Sequence, residues 1–60
     1  MSTFLSNPTH DQMYVRIVGP NKEQDGVHVQ PHAQNLELPA GFGVHQNSLV
    51  QHPKLIVTNR

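Results

Sequence analysis

Five histidines carry most of the chemistry this chain could do: His10, His28, His32, His45 and His52. Neutral imidazole is a common zinc ligand, and three imidazoles with a water can form a catalytic centre. Their spacing argues against it. His28 and His32 would share a helix face as an i, i+4 pair, yet Pro31 lies between them and Val27 and Val29 favour a strand. In a strand the two side chains stand about 13 Å apart, at roughly 3.3 Å per residue, too far for one ion to bridge. His-x-His and His-Glu-x-x-His elements are missing from the sequence. The expectation is no metal and no cofactor, with the imidazoles on a polar face. A small histidine-based metal site, drawing on different strands, is the alternative. Imidazole titrates near pH 6.5, so association of the chain is expected to respond to pH between about 5 and 8.

Other chemistries find less support. A nucleophilic triad needs serine, histidine and a carboxylate held in a concave, pre-organised site. The residue types are present, but sixty residues leave little room for such a site, and no enzymatic activity or small-molecule substrate is expected. Gly41-Phe42-Gly43 is not followed by a helical pattern, so it is not read as a phosphate cradle. Four basic residues (Arg16, Lys22, Lys54, Arg60) are balanced by four acidic ones (Asp11, Glu23, Asp25, Glu37). That balance offers no basic face for nucleic acid.

Charge is scarce altogether. Charged residues are 13% of the chain, against about 25% in ordinary domains. Asn and Gln fill eleven of the sixty positions instead. Free small proteins usually keep a net charge that disperses them, whereas interface cores are depleted in Lys, Glu and Asp. The composition points to a chain that binds a protein partner or assembles with copies of itself.

The elements that must position these groups are short. Residues 13–18 read as a strand, with Val15 and Ile17 on one face and Tyr14 and Arg16 on the other. Residues 19–26 read as a solvent-facing loop, with Asp25-Gly26 suited to a positive-φ turn. Residues 27–34 alternate strictly: Val27, Val29, Pro31 and Ala33 point one way, His28, Gln30, His32 and Gln34 the other. Pro31 makes this an edge strand or breaks it. Leu36-Glu37-Leu38 repeats the alternation briefly, and residues 39–43 read as a loop. Residues 44–51 read as a strand pair turning at Asn47-Ser48 or as one irregular segment, and 54–58 as a final strand.

The resulting fold class is mainly β: a small single-domain open barrel or sandwich of four to six short strands with an extended N-terminal arm. The arm covers residues 1–12 and the β module residues 13–60. The expected core is aliphatic: Val15, Ile17, Val18, Val27, Val29, Leu36, Leu38, Val44, Leu49, Val50, Leu55, Ile56 and Val57. With no cysteine there are no disulfides, so the remaining supports for a domain this small are a metal or a partner.

The residues expected to bind that partner are Phe4 and Leu5, as anchors of the arm, and His28, Gln30, His32 and Gln34, as an uncharged hydrogen-bonding face. Edge strands of free proteins are usually guarded by charge, and residues 26–36 carry none. By composition the chain is similar to the small, low-charge, β-rich accessory proteins that coat or cement virus and phage particles. That similarity implies a non-enzymatic structural subunit that binds a capsid protein or other assembly. An inhibitor or regulator docking on one enzyme is the other binding mode considered. No signal peptide or membrane-spanning run is apparent, so neither a membrane nor secretion is expected; cytoplasmic synthesis, with the virion as destination, is.

Overall fold

Strand β2 (Met13–Val18) is the centre of one three-stranded sheet and behaves as its alternation dictates. Met13, Val15 and Ile17 are buried, while Tyr14 and Arg16 face outward. The computed structural model describes residues 2–60. On one side β2 pairs antiparallel with β3 (Gln24–Val29), from Met13↔Val29 to Val18↔Gln24. On the other it pairs with β5 (Gly43–Val44), through Ile17↔Val44 and Val18↔Gly43. The second sheet has β1 (Thr3–Ser6) at its centre, between β4 (Leu36–Glu37) and β6 (Ile56–Asn59). Both sheets are antiparallel, and together they form an open sandwich rather than a closed barrel. The one helix among the described residues, α1 (Gln46–Gln51), lies between β5 and β6 in the chain.

The core joins the two sheets. Leu5 of β1 meets Met13, Val15 and Ile17 of β2 and Val29 of β3, with Leu38 and Leu55 closing the ends. Val27, Ala33, Phe42, Val44 and Val57 pack against this cluster. Five expected core residues lie outside it: Leu36, Leu49, Val50 and Ile56 are exposed, and Val18 is half-buried.

Several expectations are corrected here. The segment 1–12 is not an extended arm, because residues 3–6 are the middle strand of a sheet and Leu5 is 0% exposed. β1 gains neighbours on both sides only through residues 31 or more positions away, so no local pattern announces it. In the β2–β3 loop the positive φ falls at Lys22 (64°), where Gly19 N–H donates to Glu23 O at 2.7 Å. Asp25 and Gly26 belong to β3, and Gly26 supplies space, because the Tyr14 phenol lies where its Cβ would be. Strand β3 ends at Val29, and Pro31 and His32 form a turn. Residues 46–51 are helical, neither a strand pair nor irregular.

Candidate interaction surface

Strand β2 has more edge than β5 can cover. β5 reaches only Ile17 and Val18. Beyond them, groups from α1 and its flanks take over as hydrogen-bond partners. The Ser48 hydroxyl, buried under the helix, accepts from Arg16 N–H at 2.8 Å, and His45 N–H donates to Arg16 O at 2.8 Å. The His52 Nε2–H donates to Tyr14 O at 3.1 Å. His45 also caps the helix, its Nδ1 accepting from Asn47 N–H at 3.0 Å. One imidazole, one hydroxyl and one backbone N–H thus stand in for a missing strand, meeting the rule that backbone polar groups find partners.

The outer face of that sheet presents Tyr14, Arg16 and His28. Tyr14 and His28 are cross-strand partners, their rings edge-to-face at 5.0 Å and 70°. The Tyr14 ring leans across Gly26, the favoured use of a strand glycine beside an aromatic.

At the other end of β2, Asn7 holds the crossover from β1. It is 1% exposed. Its Nδ2 donates to Asp11 O at 2.7 Å and to Val29 O and Gln30 O, both at 3.2 Å. Its Oδ1 accepts from Thr9 N–H at 2.9 Å and Thr9 Oγ1–H at 2.6 Å. Its own N–H donates to Ala33 O at 2.9 Å. Side chain and backbone together weld the loop after β1 to the end of β3. Across this weld His10 and His32 meet, Nδ1 to Nε2 at 2.9 Å, with rings edge-to-face at 4.5 Å. His32 and Gln34 line a shallow hollow of about 260 Å³ that also includes Ser6, Pro8 and Ile56.

The six residues expected to bind a partner therefore separate. His32 and Gln34 share the hollow. His28 lies on the outer face of the other sheet beside Tyr14. Gln30 follows the end of β3, its carbonyl taken by Asn7 and by Ala33 N–H. Phe4 is half-buried under the Arg60 guanidinium, 5.1 Å from its centroid. Leu5 is committed to the chain's own core and has no surface to offer. The face His28-Gln30-His32-Gln34 does not exist as one surface, because the strand stops before Pro31.

The residues that do offer contact are partly new. β6 is an outer strand without a charge from Ile56 to Asn59, and Ile56 is 50% exposed. Val50 is 75% exposed on α1, with Leu49 beside it. Only the lack of charge in 55–59 signalled this edge in the sequence. Among the described residues no three His, Cys, Asp or Glu side chains group as metal ligands, and no helix is long and apolar enough to cross a membrane. Comparison with protein-family models, curated proteins and solved structures finds no match.

Proposed function

We propose that this chain is a non-enzymatic structural subunit that docks on a larger protein assembly through an open sheet edge. The observation that carries this reading is β6: an outer, β-branched, uncharged strand with Ile56 exposed beside it. An edge of that kind is a template for pairing with another chain, and free proteins normally blunt it with charge or proline. A core of seven apolar residues leaves the domain dependent on such support. The assembly we favour is a virus or phage capsid that the subunit decorates, a choice supported by composition alone.

Sedimentation velocity and amide exchange on the isolated chain, followed by the same measurements with the copurifying partner, test the reading. The expected result is weak protection of Ile56–Asn59 in the free chain and strong protection in the complex. Ile56→Lys should change fold stability by no more than about 1 kcal/mol, since the side chain is half outside, yet abolish docking. A free monomer with fully protected β6, or unimpaired docking of the Ile56→Lys variant, refutes it.

A further inference from the structure

We propose that His10 and His32 form a two-imidazole site for a divalent late transition metal of tetragonal preference, Cu(II) foremost. The inference is independent of the docking reading. His10 Nδ1 and His32 Nε2 are 2.9 Å apart. If the rings turn while that separation is kept, two imidazole nitrogens, each about 2.0–2.1 Å from an ion, subtend roughly 90°, whereas a tetrahedral angle would need about 3.3 Å. Adjacent corners at right angles are what square-planar and tetragonal ions present.

The backbone holds both residues in place without help from the rings. His32 N–H donates to Thr9 O at 3.2 Å, and Ala33 N–H closes the turn onto Gln30 O at 3.1 Å. Thr9 in turn is fixed by Asn7. His32 sits at φ 60°, a left-handed conformation that glycine adopts most readily. An imidazole placed there, reaching a second imidazole twenty-two residues earlier, couples a disfavoured backbone to a specific side-chain meeting. Both rings are exposed, and neither has another hydrogen bond among the described residues. In that contact one nitrogen carries the proton and the other the lone pair; a tautomer shift moves that proton to the far nitrogen of its ring, after which both lone pairs can turn to a shared point, leaving the remaining coordination positions to water. Residues 28, 45 and 52 are elsewhere: His28 faces Tyr14, His45 caps α1, and His52 bonds Tyr14 O.

The test is titration of the full chain with copper sulfate, read by calorimetry, thermal unfolding and electron paramagnetic resonance. Expected are one ion per chain, an axial spectrum with two nitrogen ligands, and a rise in the thermal midpoint of about 5 °C or more in excess metal. Binding should disappear near about pH 5, because protonated imidazole is not a ligand. His10→Gln should weaken binding at least about tenfold, and so should His32→Asn, which keeps a side chain that tolerates the left-handed backbone. His28→Gln should leave it unchanged. Copper affinity unaffected by His10→Gln or His32→Asn, a spectrum with three or more imidazoles, or no saturable uptake would overturn the assignment.

Discussion

Removing the Asn7 side chain should cost this domain a large part of its stability. Five side-chain hydrogen bonds converge on it, and their partners differ in what they lose. Thr9 and Asp11 are close enough to solvent to rebond to water. The Gln30 carbonyl keeps Ala33 N–H. The bond to Val29 O is the buried one; after Asn7→Ala that carbonyl keeps only its ladder partner, Met13 of β2. Losing the buried bond costs about 1 kcal/mol, and the four part-buried bonds, discounted for water, add roughly 1–3 kcal/mol more. The total, about 2–4 kcal/mol, compares with about 3–9 kcal/mol for a domain of this size. At roughly 4–8 °C per kcal/mol, the thermal midpoint should fall by about 10–30 °C. Far-UV circular dichroism is the assay, since the chain has no Trp.

Asn7→Asp sharpens the test. It preserves shape but points a carboxylate oxygen at the carbonyls of Asp11, Val29 and Gln30, where Nδ2 now donates. At neutral pH this variant should be less stable than Asn7→Ala. Burial among carbonyls favours the protonated acid, raising its pKa in the folded state above the unfolded value. The folded state then binds the proton more tightly, so stability should return as pH falls through the folded pKa. A loss below about 0.5 kcal/mol for Asn7→Ala, within the range of an ordinary surface change, refutes the reasoning. So does an Asn7→Asp variant that matches Asn7→Ala at neutral pH and gains nothing from acid.

Ser48→Ala should cost about 1–3 kcal/mol in urea unfolding, because Arg16 N–H loses its only stand-in for a strand partner; Ser48→Thr, which keeps the hydroxyl, should recover part of it. Leu5→Ala should cost about 2–5 kcal/mol by the same measurement, as for any fully buried leucine. A loss near zero would mean that β1 is a detachable arm after all.

What the sequence made legible was local. The alternation of Met13–Val18 is carried by side chains two apart, and the structure places each on the expected face. Pro31 lacks the N–H a ladder needs, and β3 stops before it as an edge strand. What stayed hidden was set by distant partners. β1 offers only Thr3-Phe4-Leu5-Ser6, with one fully buried side chain, and its strand character comes from β4 and β6. α1 spans six residues, exposes Leu49 and Val50 and is capped by histidine rather than the usual Ser, Thr, Asp or Asn, so neither stripe nor cap marked it. The meeting of His10 with His32 depends on a crossover between sheets, which spacing along the chain does not encode.

The neutral polarity of the chain then acquires a second cause besides contact with a partner. Two three-stranded sheets of two to six residues per strand leave many backbone groups beyond the reach of a neighbouring strand. Asn7, Ser48 and His52 each bond such groups, and Asn7 and Ser48 do so from buried positions. A charged side chain in those places would bring the desolvation cost of an ion into a core of seven residues, while an amide or hydroxyl brings only a hydrogen-bonding group that the backbone satisfies. Scarce charge in the interior therefore follows from completing small sheets with side chains. That argument stops at the surface: among the described residues no strand pairs with the outer edge of Ile56–Asn59, and its lack of charge is the part that the completion of the fold does not require.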